Sequence, residues 1–398
     1  MQTNTPITVL HSTPVWLPQT MTWLYNQVRF LPSEVCSHIT CEQTTNLEQF
    51  HLPYIHCSEN NTLIQRYWDD ALKTLRLRPY FSHKTRVANQ HKAHILHSHF
   101  GNRGWEDIGV AQLANMKHIV TFYGYDVNQL PLLHPKWKAR YIRLFDHVDQ
   151  ILCEGKHMAE CIQQLGCPQN KIRVQHLGIA FEEIPFKPRT WTPGEPLRFL
   201  IAATFKEKKG IPYALEALGR LKNDFHLQIT IIGDAIEDAN SYREKEKILK
   251  VLDHYQLHSQ VRMLGFQPMN VLFREAYQHH IFLSPSITAK DGDTEGGAPV
   301  TILEMLASGM PVVSTRHCDI PSIIHHKESG FLAEEKNVDE LVEHIRGLAQ
   351  NVSNWKSLVE TGRRHLEKEY HSNTQGTRLA QIYQEIQDPT VAQQRSHI

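Results

Sequence analysis

Two glutamates and a glycine turn lie in one stretch, Asp291 to Thr315, with the sequence DGDTEGGAPVTILEMLASGMPVVST. Glu295 and two glycines precede Pro299, and an apolar segment then reaches Ser308. Proline is favoured at the first position of a helix, because its missing N–H would have no partner there. We therefore predict a helix from Pro299, with free amides and a positive dipole end at its start. Such a helix start can bind an anion such as a diphosphate.

The two glutamates could bind hydroxyl groups next to such an anion. Glu304 lies about six residues into the predicted helix, which places it roughly 9 Å from the first turn. Carboxylates accept hydrogen bonds from vicinal hydroxyls, so Glu295 and Glu304 could hold two parts of one sugar-containing ligand. The alternative is a capping acid at Glu295 and a solvated helix acid at Glu304.

A metal site is a competing interpretation of the same residues. Asp291, Asp293, Glu295 and Gly296 match the first half of a calcium-binding loop, but Ile302 stands where the bidentate glutamate belongs. We therefore expect no metal at this site.

Three lysines form a second candidate for the same anion. Lys206, Lys208 and Lys209 follow the apolar segment 197–203 and precede Gly210. A cationic loop between a strand and a helix suits a diphosphate. A solvated lysine cluster is the alternative, but the position after the first strand of a domain favours anion binding.

Predicted strands alternate with predicted helices along the chain, which indicates parallel sheets covered by helices on both faces. In such sheets, ligands bind outside the carboxyl ends of the strands. His99, Tyr123 and Asp126 lie near the ends of two predicted strands, at 95–101 and 118–122. These side chains could contact a ligand, or they could hydrogen-bond within their own loops.

These motifs resemble those of the family 4 retaining glycosyltransferases of the GT-B fold, in particular a bacterial exopolysaccharide subgroup. That family carries two glutamates separated by seven residues, whereas eight residues separate Glu295 from Glu304. The His-x-His-Phe strand end of the family is present at 97–100.

Two further family motifs are present with one replacement each. In the Thr-x-His-Gly-x-Asp motif at 121–126, Tyr123 stands in place of the histidine. In the Arg-x4-Lys-Gly motif, Lys209 and Gly210 match, whereas Thr204 stands where arginine is expected. Lys206 or Lys208 could supply the missing charge.

The resemblance implies an α/β protein of two Rossmann-like domains whose parallel sheets face an interdomain cleft. Residues 1–190 would form the acceptor-binding domain, together with a C-terminal helix at about 371–387 that packs back on it. Residues 197–370 would form the domain that binds the nucleotide-sugar donor. The proline-rich segment 186–196 would be the hinge.

The resemblance also implies a role for each candidate residue. Glu295, Lys209 and Tyr123 would be catalytic, and His99 and Asp126 would bind the acceptor. The donor would be bound by Thr204, Lys206, Gly233, Phe266, Gly296, Gly297, Ala298 and Glu304.

The implied reaction moves a hexose from a UDP- or GDP-sugar to a hydroxyl of a glycan, with retention of the anomeric configuration. The acceptor would be lipid-linked and the pathway polysaccharide biosynthesis, and neither a metal nor another cofactor would be required. A GT-B protein that binds sugar nucleotides or partners without catalysis is the alternative, motivated by Thr204 and Tyr123. A sugar-nucleotide epimerase would need acid and base residues that the donor motifs do not supply.

Composition excludes several other classes. The 42 basic residues balance 42 acidic ones, so net charge does not indicate a nucleic-acid partner. No apolar run approaches the roughly 20 residues of a membrane-spanning helix, and the N-terminus lacks the pattern of a signal peptide. Seven cysteines without a CxxC pair favour free thiols in a reducing compartment. We therefore expect a cytoplasmic protein.

Contact with the inner face of the cytoplasmic membrane is a further expectation. A basic run at 73–86 and a basic, aromatic helix at 135–149 could contact anionic lipid, or could be a solvated face and a scaffold helix. Cys36, His38 and Cys41 are close in sequence, but zinc usually takes four ligands and no second pair follows.

Overall fold

The computed structural model describes residues 6–18, 21–60 and 82–388, and the chain forms two compact units. The chain passes from the first unit to the second after Gly178, and returns to the first unit at Ser372.

The first unit is built on a parallel sheet with the order β5-β3-β1-β6-β7-β8-β9. A short pair, β2 and β4, lies outside this sheet. The strands of the described residues are β1 Ile7–Ser12, β2 Val15–Trp16, β3 Val35–Cys41, β4 Gln43–Thr44, β5 Ile55–Cys57, β6 Ile95–His99, β7 Lys117–Thr121, β8 Gln150–Cys153 and β9 Ile172–Val174.

Helices cover this sheet, and a π-helical turn, Tyr125–Gln129, follows the loop after β7. The helices before the chain leaves this unit, within the described residues, are α1 Thr22–Arg29, α2 His83–Gln90, α3 Gly101–Leu113, α4 Leu130–Leu133, α5 Lys136–His147 and α6 Lys156–Gln164. The α2 helix begins after Ser82, whose hydroxyl accepts the N–H of Thr85 at 3.2 Å.

Part of the predicted basic run, at Lys73, Arg76 and Arg78, lies outside the described residues. Lys84, which is described, does not belong to a solvated face. Its ammonium pairs with the carboxylate of Asp107, whose side chain is only 1% exposed. The expectation of a solvated or lipid-facing lysine was wrong here, because a buried carboxylate requires a nearby cation.

The second unit is built on a parallel sheet with the order β12-β11-β10-β13-β14-β15. Its strands are β10 Leu197–Ala202, β11 Leu227–Ile232, β12 Val261–Met263, β13 Ile281–Ser284, β14 Val312–Thr315 and β15 Phe331–Ala333. Its helices are α7 Ile211–Leu221, α8 Ala239–Tyr255, α9 Met269–Ala276, α10 Val300–Ala307, α11 Ile320–Ile323, α12 Val338–Gln350 and α13 Trp355–Glu369.

The central strand β10 shows why its sequence is apolar from Phe199 to Ala202. Phe199 and Ile201 pack into one core cluster, while Leu200 and Ala202 pack into another. A parallel strand covered by helices on both faces buries both sets of alternating side chains. The apolar run is therefore typical of a strand at the centre of the sheet.

The boundary between the units lies after Gly178, ahead of the predicted hinge at 186–196. Phe181 and Ile184 belong to a core cluster of the second unit. The Arg189 guanidinium donates to the carbonyl oxygens of Ser308 and Ala276 at 2.8 and 3.1 Å. Proline prevents regular structure, but it does not prevent packing, so the segment 179–196 is attached to the second unit.

The C-terminal helix α14, Ser372–Gln387, belongs to the first unit. Leu379 and Tyr383 are fully buried in a cluster that includes Val9 and Ile119. The Tyr383 hydroxyl lies 2.7 Å from Nδ1 of His97. The last helix thus completes the core of the unit in which the chain begins.

Candidate active site

The candidate site of the second unit lies where the order of the sheet reverses. Strand β10 has β11 on one side and β13 on the other. Because β10 and β13 are adjacent and parallel, the loops that follow them lie next to each other at the carboxyl edge of the sheet. Gly210 allows these loops to approach closely. It has a φ of 62°, and a Cβ atom there would lie 1.9 Å from the carbonyl oxygen of Pro285.

An ion pair connects the two loops. Nζ of Lys209 lies 2.7 Å from Oε2 of Glu295, and the Ser286 hydroxyl donates to Oε1 of Glu295 at 2.8 Å. Burial would raise the pKa of Glu295, but Lys209 and Lys208 outweigh it and lower this pKa to about 2. The two stretches that the sequence assigned to one diphosphate therefore lie together, with the carboxylate ionised.

Lys208 forms a parallel connection. Its ammonium donates to Oδ1 of Asp293 at 3.0 Å and to the carbonyl oxygen of Thr294 at 2.8 Å. Burial lowers the pKa of Lys208, and the nearby Glu295 and Asp293 raise it more, so the pKa is above its ordinary value. Asp293, considered above as a calcium ligand, is bound to this lysine.

The sequence prediction missed a histidine beneath Glu295. The N–H of Glu295 donates to Nε2 of His317 at 3.1 Å, so Nε2 carries no proton. Nδ1 therefore carries the proton and donates to Glu335 at 2.6 Å, and Glu335 also accepts the N–H of Thr288. The position of His317 just after β14 could have indicated its place in the site, because the carboxyl ends of parallel strands share one edge of the sheet.

The glycine turn before α10 leaves backbone amides available. Gly296 has a φ of 78°, and its N–H donates to the Thr294 hydroxyl at 3.1 Å. Across the described ranges, the N–H groups of Gly297 and Ala298 donate to no protein acceptor. Pro299 has a ψ of 126° and is the N-cap, so α10 begins one residue later than predicted. The helix start and the two amides remain suited to an anion.

Glu304 is buried in α10, with 6% of the residue exposed. Its carboxyl group makes no hydrogen bond or ion pair with any part of the chain that the structure describes. Burial raises the pKa of its carboxyl to about 8. The group is therefore mostly protonated at neutral pH, and a ligand could still provide its partner.

The remaining donor-binding candidates lie at the carboxyl ends of β10, β11 and β12. The N–H of Gly233 donates to the carbonyl oxygen of Gly265 at 2.8 Å, which brings Phe266 to the same edge with 49% of its surface exposed. A Cβ atom at Gly233 would lie 1.9 Å from the carbonyl oxygen of Ala203. After β10, Thr204 and Lys206 are partly exposed.

In the first unit, a chain of buried hydrogen bonds ends at Tyr123. Nδ1 of His11 lies 3.1 Å from Nε2 of His99, and Nδ1 of His99 lies 2.7 Å from the Tyr123 hydroxyl. That hydroxyl donates to Gln27 at 3.2 Å. Burial raises the pKa of Tyr123 and lowers the pKa values of both histidines. All of these groups are neutral, and His99, a predicted acceptor-binding residue, is fully buried.

Asp126, the second predicted acceptor-binding residue, is held by backbone amides. It is fully buried, and its carboxylate accepts three backbone N–H groups, from Gly101 at 2.6 Å and from Tyr123 and Gly124 at 3.0 Å each. Burial raises the pKa of Asp126 to about 6, although these amides oppose the increase. The carboxylate fixes the conformation of the loop after β7 by binding these amides.

A polar cavity of about 410 Å³ lies in the first unit, beyond the carboxyl end of β6. Arg103 lines this cavity, and its guanidinium donates to Glu42 at 2.9 Å and to Glu106 at 3.1 Å. Asn102 and Tyr125 also line it. Sequence reasoning missed this cavity, although its helix residues directly follow the His-x-His-Phe strand end.

Solved structures define the class of the fold. HepE of Anabaena, whose crystal structure contains UDP and glucose, superposes with a TM-score of 0.74 at 12% identity, over 95% of this chain and all of HepE. A glycosyltransferase from Rickettsia africae gives a TM-score of 0.73 at 16% identity, over 96% of this chain and 99% of its own. The fold is therefore that of the GT-B glycosyltransferases, as the sequence predicted.

Sequence comparisons define the family. A family model described as group 1 glycosyl transferases matches residues 183–365, and one described as glycosyltransferase family 4 matches residues 45–183. The amylovoran biosynthesis glycosyltransferase AmsK of Erwinia amylovora is 33% identical over 74% of this chain and 70% of AmsK. WcaL of Escherichia coli, named for colanic acid biosynthesis, is 29% identical over 75% of this chain and 72% of WcaL. The chain belongs to the family 4 glycosyltransferases, so it is a glycosyltransferase, and the predicted resemblance is confirmed.

Residues 6–18, 21–60 and 82–388 contain no helix that combines the length and apolar character needed to cross a bilayer.

Proposed function

We propose that the protein transfers a hexose from a UDP- or GDP-sugar to a hydroxyl of a lipid-linked glycan, with retention and without a metal, in polysaccharide biosynthesis. The names of AmsK and WcaL support the pathway, and the UDP bound to HepE supports a nucleotide-sugar donor. The ion pair of Lys209 and Glu295 carries the proposal, because it holds an ammonium and a carboxylate at one point.

The diphosphate of the donor binds between the lysine loop and the start of α10. Lys208 and Lys209 pair with the carboxylates of Asp293 and Glu295, and Lys206 adds a third positive charge to the same loop. The amides of Gly297 and Ala298 add donors. Fixed donors aimed at developing negative charge can each contribute roughly 3 kcal/mol to catalysis.

When the donor binds, its diphosphate replaces Glu295 as the partner of Lys209. The ammonium moves from Glu295 to the leaving phosphate, which frees a carboxylate oxygen of Glu295 to accept hydroxyls of the transferred sugar. Ser286 and the backbone bond to His317 hold Glu295 in place during this exchange.

The nucleoside binds at the other side of the diphosphate. The Glu304 carboxyl, which has no partner in the described chain, bonds the ribose hydroxyls, and the exposed ring of Phe266 contacts the base. A protonated carboxyl can donate one hydrogen bond and accept another, so both charge states of Glu304 suit a diol.

The proton of the acceptor hydroxyl goes to the leaving phosphate. The bond between the anomeric carbon and the phosphate oxygen breaks, the acceptor oxygen bonds that carbon from the same face, and the phosphate takes the proton. Tyr123 cannot be the base, because its neutral hydroxyl already bonds His99 and Gln27. It therefore serves in this proposal to position the loops of the first unit.

The glycan acceptor binds in the polar cavity beside Arg103. The carboxylates of Glu42 and Glu106 and the amide of Asn102 supply the hydrogen-bonding groups that sugar hydroxyls require. This assignment replaces His99 and Asp126, which are buried.

Peripheral contact with an anionic membrane is supported by the surface around α5. Leu132 and Leu133 expose 57% and 51% of their surface, and Lys136 and Lys138 are also exposed. Apolar side chains beside lysines suit the boundary between lipid headgroups and acyl chains.

The experiment is a panel of UDP- and GDP-sugars tested for thermal stabilisation, each in chelator and in magnesium, followed by a transfer assay with lipid-linked glycans. We expect one donor to stabilise the chain in chelator and the product to keep the donor's anomeric configuration in NMR spectra. Inversion, or a strict requirement for magnesium, would contradict the mechanism. Stabilisation without transfer to any acceptor and without hydrolysis would favour the non-catalytic alternative.

A further inference from the structure

Three histidines from separate parts of the chain meet at the edge of the first sheet. His38 lies on β3, His56 lies on the neighbouring strand β5, and His91 is the C-cap of α2. In the parallel register of β3 and β5, Thr40 is opposite His56, so His38 and His56 are diagonal neighbours on one face.

The three rings are close enough to share one ion. One ligand atom from each histidine lies within 4.8 Å of the others, and Nδ1 of His38 lies 3.0 Å from Nε2 of His56. Zinc–nitrogen bonds of about 2.0–2.1 Å in a tetrahedral site separate the ligand atoms by about 3.4 Å. Ligand atoms at the 4.8 Å limit must therefore approach by about 1.4 Å, and the pair from His38 and His56 must separate by about 0.4 Å, which side-chain rotation can provide.

One atom in this cluster lacks a partner. Nε2 of His91 is buried and makes no hydrogen bond in the described chain. A buried nitrogen without a partner is costly in a folded protein, and a bound cation would remove that cost.

A second histidine cluster in the same unit makes a useful contrast. His11, His97 and His99 are also close together, but they are fully buried, and five of their six ring nitrogens bond a neighbour. His56 and His91, in contrast, are partly exposed. The cluster at the sheet edge is therefore the one that an ion can reach.

The helix that ends at His91 also suits a cation. The C-terminal end of α2, where His91 lies, is the end of a helix that favours cations.

We propose that His38, His56 and His91 bind one divalent transition-metal ion, zinc in the first place, with water in the fourth position. Imidazole is a preferred ligand of zinc, copper and nickel. Cys36 is not a ligand in this arrangement, because its sulfur lies 3.6 Å from the opposite nitrogen of His38, Nε2. The ion connects β3, β5 and α2 and stabilises the unit, apart from the proposed glycosyl transfer and independently of it.

The test uses the full chain without a histidine tag, stripped of metal by chelator and dialysed. Isothermal titration with zinc chloride is expected to show one equivalent bound, and zinc is expected to raise Tm. H56N and H91N should each bind at least tenfold more weakly and lose the increase in Tm. H134N, which removes an exposed histidine of the same unit, should behave as wild type.

Several results would overturn the site. Wild type that binds no zinc at micromolar concentration excludes it, and so does unchanged affinity in a folded H56N or H91N. Two ligand variants on different elements are used so that a folding defect in one leaves the other, and circular dichroism in chelator identifies such a defect. Zinc affinity lost in C36S would show that a thiolate is a ligand and refute the three-histidine set. Because transfer is measured in chelator, failure of that reaction would leave zinc binding unaffected.

Discussion

Replacing Glu304 by glutamine should stabilise the empty protein, and the gain should depend on pH. Burial raises the pKa of the Glu304 carboxyl to about 8, from an ordinary value of 4.5. A raised pKa means that the folded chain favours the protonated acid. The associated stability is complete below pH 4.5 and decreases as pH rises toward 8. Glutamine keeps the shape and the hydrogen-bonding capacity and cannot ionise.

The size of the effect follows from the interval between the two pKa values. At pH 7, ionisation of Glu304 in the unfolded chain lowers the free energy of unfolding of wild type by about 3 kcal/mol. Each pH unit above 4.5 contributes about 1.4 kcal/mol. At pH 5 the same calculation gives about 1 kcal/mol. For a domain of this size, 3 kcal/mol corresponds to an increase in Tm of about 6–12 °C.

The assay is thermal unfolding of wild type and Glu304→Gln at pH 5, 6 and 7, without donor, followed by circular dichroism. Glu246→Gln removes an exposed glutamate of α8 and serves as the control, with no expected dependence on pH. A gain in Tm that is equal at pH 5 and pH 7 would refute the assignment of a raised pKa. The nucleotide that stabilises wild type should stabilise Glu304→Gln less if this carboxyl binds the ribose.

Two further predictions concern charge and membrane contact. Lys209→Met should lose at least 100-fold in turnover and about 3–5 kcal/mol of stability in chemical denaturation, because it leaves the buried Glu295 carboxylate without its cation. Adding Glu295→Gln should restore most of that stability but not the turnover, and a double variant as unstable as the single one would refute the ion pair. The double variant Leu132→Ser/Leu133→Ser should reduce flotation with anionic vesicles, whereas Leu113→Ser, at an exposed leucine outside this surface, should not. Equal losses in both would contradict the membrane surface.

The sheets could be predicted because buried parallel strands have a strong sequence signal. The apolar run at 197–203 predicted β10, which the structure places at Leu197–Ala202. The helix after Pro299 was also predicted within one residue of its observed start, because the proline and the apolar spacing mark it locally.

The partners of the site residues could not be predicted, because they depend on distances across the fold. Nothing in the sequence near Glu295 indicates that its N–H bonds His317, 22 residues away, or that His317 bonds Glu335. The partners of Asp126 could not be predicted for the same reason. A carboxylate after a strand has the same local sequence whether it faces a ligand or, as here, three backbone amides.

The pairing of Lys209 with Glu295 has a consequence for how the enzyme operates in salt. An internal carboxylate already neutralises this ammonium when no substrate is present. Dissolved chloride or inorganic phosphate must therefore compete with a buried neighbour that is always in place, and dissolved ions screen buried charges less than exposed ones. The affinity for a nucleotide sugar should then change little with ionic strength. The ion pair within the second unit would determine the selectivity against simple anions.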